Sequence, residues 1–157
     1  MNIFVLDLDP HTCATYHANI HVPKMIVETA QLLSTMYPST RYYKHTHYNH
    51  PCAKWVRESA GNFSWLLTLG MQLSNEYTFR YKRKHKTEQV LVDMLNNLPS
   101  IAMFPSVAMT PFAMAMPDEF RNPSDVVSSY RNYYKHKGTL MKMVWGPKRL
   151  IPDWYKS

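Results

Sequence analysis

The sequence predicts a mostly α-helical fold, a compact single helical domain over residues 1–157 with a short N-terminal extended segment and a long Pro/Met-rich loop. Three observations carry this expectation. Apolar residues recur at helical spacing in three stretches between Thr12 and Asn97. Only 4 of 157 residues are Gly, too few for Gly-rich nucleotide loops or a turn-dense β-sandwich. Hydrophobic residues make up 45%, enough to build a core, which excludes a disordered polycation.

Asn2 to Leu8 (NIFVLDL) is β-branched and aromatic, the composition of a strand or a buried extended arm. Asp9-Pro10 starts a turn, and helical periodicity runs from about Thr12 to about Tyr37. Pro23 interrupts it. The choices are a kink there, or a short helix to about His21 followed by a second with Pro23 in its first turn. Val22, Met25, Ile26, Leu33 and Met36 form the core-facing side. Pro38 to Pro51 (PSTRYYKHTHYNHP) has no apolar period and reads as a loop. The helical pattern resumes at Cys52 and is divided at Gly61-Asn62, with Asn62 as the expected cap of a helix to about Tyr81. Another helix starts at Thr87-Glu88 and ends at Asn96-Asn97. Five prolines between Pro99 and Pro123 forbid a long helix, so a packed, Met-bearing loop is expected to cover the helices. Ser124 caps a helix through Lys137, which Gly138 ends, and the tail WGPKRLIPDWYKS is extended and aromatic.

Lys plus Arg is 18 and Asp plus Glu 11, a formal +7 that suits a polyanionic partner. The charge is uneven: six of the seven residues from Arg80 to Lys86 are basic, and the C-terminal quarter adds more. No apolar run reaches the ~20 residues of a membrane span. The N-terminus lacks the basic region of a signal peptide, and Cys13 and Cys52 form no CxxC, so a cytoplasmic chain with reduced thiols and no membrane contact is expected. GxSxG, GxGxxG, P-loop and HExxH motifs do not occur, which removes the common hydrolase, dinucleotide, NTPase and zincin readings. No cofactor is expected.

Three constellations can carry chemistry. His17, His21, Lys24, Glu28 and Gln31 are spaced 4, 3, 4 and 3, which places them on one helical face. Two imidazoles, an amine and a carboxylate in a row suit proton transfer or phosphate contact, and a plain solvated face is the alternative. His45-x-His47-x-x-His50 sits among Tyr42, Tyr43, Lys44 and Tyr48. It offers metal ligands together with His17 and His21, or an aromatic-basic surface for bases and phosphates. Glu76-x-x-x-Arg80-Tyr81-Lys82-Arg83-Lys84-His85-Lys86 is either a solvated helix end complementing the dipole or a track for a phosphate backbone.

Three segments together, MNIFVLDLDP…YHANIHVPKMIVETAQLLST, then NHPCAKWVRES, then EYTFRYKRKHKTE with TPFAMAMPDEF, are similar to small phage and bacterial proteins grouped as pyrimidine-dimer DNA glycosylase-like (endonuclease V-type). Relatives often carry Asp-Lys-His where this chain has Asn19-Ile20-His21, a departure that removes an acid and an amine. The resemblance implies a compact all-α repair fold and base excision from damaged or modified duplex DNA. It also implies strand cleavage through an amine-derived Schiff base with an acidic partner. Enzymes of this type use the α-amine exposed when Met is removed before a small residue, and Asn2 is large for that removal. The expected amine is therefore Lys24, made nucleophilic by neighbouring His and by burial, and attacking the sugar C1′. Glu28 would stabilise the oxocarbenium-like charge and move protons, while His17 and His21 hold a phosphate or act as acid. Gln31, His50 and Glu76 join the substrate-binding set, Trp55 or a loop Tyr fills the gap left by a flipped base, and Arg57, Arg80 and Lys86 anchor the backbone. The expected partner is DNA or a phosphorylated nucleotide. An enzyme or sequestering protein acting on a free or cyclic nucleotide, and a metal-dependent hydrolase using His17, His21 and the loop histidines, are the competing expectations.

Overall fold

A computed structural model describes residues 2–157. The N-terminal arm is extended and deeply inserted, with Ile3, Phe4, Val5 and Leu6 all buried. No strand forms among the described residues, and side chains take up several of the arm's carbonyls. Arg131 Nε donates to the Leu6 carbonyl at 2.8 Å and Trp65 Nε1 to that of Leu8 at 2.9 Å. The Asn2 side-chain amide donates to the Ala115 carbonyl at 3.0 Å.

Helix α1 (Pro10–Tyr16) has Pro at its start, and Asp9 accepts the Thr12 N–H at its N-cap. Helix α2 (His21–Ser34) follows a four-residue corner and carries Pro23 in its first turn. Of the two readings of Pro23, the two-helix one is realised, with α1 ending earlier than His21. The proline ring would collide with the carbonyl four residues back, and Asn19 lies in the corner, outside either helix. Helix α3 (Pro51–Glu58) is capped by the His50 ring, and α4 (Ala60–Tyr81) by Ser59, whose hydroxyl accepts the Asn62 N–H at 3.0 Å.

Asn62 is thus not the cap. Its buried amide donates to the Trp55 carbonyl and to Thr110 Oγ1, and accepts the Thr110 N–H, tying the long loop onto α4. Helix α5 (Glu88–Asn96) packs with α1, α2 and α3 around α4, which is the central element. The approach of α4 to its neighbours is close at Gly70, where an added Cβ would lie 2.9 Å from Thr29 Cγ2 and 3.1 Å from Leu91 Cδ1.

Between α5 and α6 (Val126–Lys137) runs the Pro/Met-rich loop, with single 3-10 turns at Ile101–Met103 and Asp118–Phe120. Asp125 rather than Ser124 caps α6, because its carboxylate reaches the Ser128 N–H at 3.0 Å, and Gly138 closes the helix. The tail ends in a short turn of helix, α7 (Asp153–Lys156). Its anchor is Trp145, fully enclosed, with Nε1 donating to the Tyr16 carbonyl at 2.8 Å. Asn19, in the α1–α2 corner, bonds the Val144 and Gly146 carbonyls at 2.6 and 2.8 Å. Among the described residues no helix is long and apolar enough to cross a membrane.

Candidate active site

The exposed turns of α2 bring three of the five stripe residues to one wall of a cleft of about 440 Å³. His21, Lys24 and Glu28 follow one another along that wall at helical spacing. Asn2 and Phe4 of the N-terminal arm form a second wall, and His50 at the start of α3 a third. The far side comes from the other half of the chain: Met116 and Arg121 of the long loop, and Tyr133 and Lys137 of α6. Lys137 Nζ lies over the rings of Phe4 and Tyr133, at 5.8 and 5.3 Å from their centroids, so its charge is held at the cleft by two aromatic faces.

Glu28 is the carboxylate of the site, its side chain 15% exposed. Its Oε2 accepts the main-chain N–H of Asn2 at 2.9 Å, and its Oε1 lies 4.0 Å from Lys24 Nζ. Lys24 is 64% exposed, so it is an amine on the rim rather than the buried one expected. Removal of Met1, on which a terminal amine at residue 2 depends, lies outside the described residues.

Each of the two cleft histidines is held through Nδ1. His21 Nδ1 is 2.7 Å from the Tyr134 hydroxyl, and burial, followed by the charges of His17, Lys137 and Lys24, pushes its pKa down to about 3. His50 Nδ1 accepts the Cys52 N–H at 3.1 Å, and burial lowers its pKa. Both rings are neutral near pH 7.

The remaining expected site residues lie elsewhere. His17 is not on the α2 face: the chain breaks before α2, and His17 is sealed in the core with Nδ1–H donating to the Cys13 carbonyl at 2.7 Å. Gln31 lies on α2 beyond the cleft. Trp55 is buried and stacked on Phe112 at 5.0 Å between centroids, so it is packed into the scaffold rather than free to enter a duplex. Arg57 donates to the Tyr48 carbonyl at 2.7 Å and lies 3.6 Å over the Tyr48 ring, fastening the 38–50 loop.

Glu76 and Arg80 are buried together, 2.8 Å apart, and Arg149 closes on Glu76 from the tail. Burial raises the Glu76 pKa, but hydrogen bonds from Arg149 and Arg80 outweigh it and hold the carboxyl below its ordinary range. Arg80 also donates to the Thr15 and His17 carbonyls and to Asn19 Oδ1, which braces the α1–α2 corner. Lys86 is on the surface turn between α4 and α5, apart from the cleft.

Of the loop histidines, His50 lines the cleft and His45 is structural. His45 Nε2 contacts the Ser34 and Tyr37 carbonyls at 3.0 and 2.8 Å, capping the end of α2. Among the described residues no three His, Cys, Asp or Glu side chains gather so as to hold a metal ion. Sequence reasoning did not place Asn2, Phe4, Arg121, Tyr133, Tyr134 or Lys137 in the site. Asn2 carried an advance signal through the family's use of the residue after Met, and Lys137 through the basic C-terminal quarter that could extend a phosphate track.

No curated protein and no solved structure matches the chain significantly. The family model described as pyrimidine dimer DNA glycosylase matches residues 1–89, which carry the N-terminal arm, the α2 wall and His50. With more than half of its length matched, the chain belongs to the pyrimidine dimer DNA glycosylase family.

Proposed function

We propose that the chain is a DNA N-glycosylase with associated strand cleavage, working in the cleft around Glu28. The observation that supports this reading best is the meeting of a primary amine, a main-chain N–H and a shielded carboxylate: Lys24 Nζ at 4.0 Å from Glu28 Oε1, and Asn2 N at 2.9 Å from Oε2. Asn2 N is an amide in the chain with Met1 in place, and in this reading Lys24 supplies the primary amine. Its lone pair forms a bond to the sugar C1′ as the base departs with the glycosidic electron pair and takes up a proton. Glu28 accepts the amine's proton and faces the cationic sugar. Opening of the sugar ring gives an imine, and loss of a C2′ proton from it expels the 3′ phosphate. Arg121 and Lys137 place positive charge on the opposite wall, where a phosphate backbone would pass.

Ultraviolet-irradiated duplex, with borohydride added to reduce the imine, tests the reading. A covalent protein–DNA adduct on the peptide containing Lys24 is expected, absent in Lys24→Ala. Glu28→Gln should lower base release by roughly 10²–10⁴-fold, the usual worth of a positioned proton-transfer group. Adduct retained by Lys24→Ala on the residue-2 peptide would move the nucleophile to the main chain. Absence of base release with wild-type protein in excess, or equal rates for Glu28→Gln, would overturn the proposal. The cleft volume also suits one free phosphorylated nucleotide. Tight binding of mononucleotides, with no dependence on DNA length, would favour that second reading.

A further inference from the structure

The two cleft histidines share an arrangement that the amine and carboxylate chemistry does not use. At His50 the direction of the hydrogen bond is fixed, because its partner is the backbone N–H of Cys52: Nδ1 must be bare and accept. At His21 the partner is a hydroxyl that can donate or accept, but Tyr134 Oη already accepts the Ala18 N–H at 2.9 Å. If Tyr134 accepted from His21 as well, its own buried hydrogen would have no partner in the contacts the structure provides, at a cost of about 1–3 kcal/mol. The hydroxyl hydrogen therefore points at His21 Nδ1, and the ring proton sits on Nε2. In both rings the nitrogen left for a bound group is Nε2, carrying its hydrogen.

We propose that the cleft presents two neutral imidazole donors, Nε2–H of His21 and Nε2–H of His50, to oxygens of a phosphodiester, and that Tyr134 is the positioning residue that fixes the first of them. The ligand class follows from the lining. The imidazoles offer two N–H donors among the cations Lys24, Arg121 and Lys137, against one carboxylate, Glu28, among the described lining residues and Asp118 paired to Arg121, a balance that matches an oxygen-rich anion. Neutral donors add hydrogen bonds without repelling those neighbouring cations. Identification of that anion as the DNA backbone rests on the glycosylase reading, whereas the protonation pattern stands apart from it.

Long-range proton–nitrogen correlation spectra of the ¹⁵N-labelled full chain at pH 7 test the pattern directly. The expected result is two neutral rings, His21 and His50, each with its proton on Nε2, and a shift of both Nε2–H signals on adding a short duplex oligonucleotide. Tyr134→Phe should give His21 a mixture of tautomers, leave His50 unchanged as an internal control, and lower base release by roughly tenfold, the worth of one hydrogen bond. A proton on Nδ1 of either ring in the wild type overturns the proposal, as does an unaltered His21 tautomer in Tyr134→Phe. So do duplex-insensitive Nε2–H signals. Should Tyr134→Phe fail to fold, the wild-type spectrum alone decides. Nε2–H donors that respond to DNA in a chain without base release refute the glycosylase reading alone. Base release with an Nδ1–H His21 refutes this proposal alone.

Discussion

At His17 one ring nitrogen donates to a carbonyl and the other, Nε2, is buried with no hydrogen-bond partner among the described residues. Burial, with Arg80 adding to it, pushes this pKa down to about 4, and His21 lies lower still at about 3. In the unfolded chain both titrate near 6.5. Between those values the unfolded state binds more protons, so stability is intact above about pH 6.5 and falls as the pH drops toward 4. Each ring can remove about 1.4 kcal/mol per pH unit across that window, or roughly 2 kcal/mol by pH 5. Urea midpoints at pH 7 and pH 5 should differ accordingly, and His17→Gln should remove about half of the difference. An unchanged midpoint would mean that the rings are not kept neutral. The sequence shows that five polar residues fit one helical face, but not that the chain breaks at residue 17. That break depends on Arg80, 63 residues away from His17 in sequence, capturing the corner's carbonyls.

Helix α4 shows why the charge pattern is legible in sign but not in role. Glu76 and Arg80 stand four apart, as solvated helix pairs do, and the basic run beyond them suggests a surface track. In the structure the pair is inside, because the tail lays Arg149 against it and the corner supplies carbonyls for the guanidinium. A buried ion pair broken on one side leaves an uncompensated charge. Glu76→Ala should therefore cost about 3 kcal/mol in urea denaturation, with little effect on cleft chemistry beyond what lost stability explains. A loss of DNA binding with full stability would instead assign the pair to substrate. Elements with local signals are legible: the Gly138 stop and the Pro-broken loop directly, and the buried arm and Pro23 in the first turn of α2 as one of two alternatives each. The caps moved by one to three residues, at Ser59 and Asp125, because neighbouring polar side chains compete for the same amide hydrogens.

Across the whole molecule, the family match ends at residue 89, yet the cleft does not. Arg121, Tyr133 and Lys137 line it, and Tyr134 orders one of its histidines. These contributions were invisible to a reading by spacing, since they come from residues about a hundred positions away from the arm and α2. A chain cut after Asn97 should therefore be inactive in base release. It should also melt well below the full chain by circular dichroism, because α6 and Trp145 cover core surface that would be bared. Retained activity in that fragment would place the chemistry in the N-terminal half alone.

The position of α6 and Trp145 late in the sequence has a consequence for synthesis. A ribosome delivers the arm, Lys24 and Glu28 first, and Tyr134, Lys137 and Trp145 among the last twenty-five residues. A nascent chain thus carries its amine and carboxylate long before it can enclose them. The cleft is complete only after translation of the tail, and a message truncated by a late stop codon yields a chain that lacks its far wall.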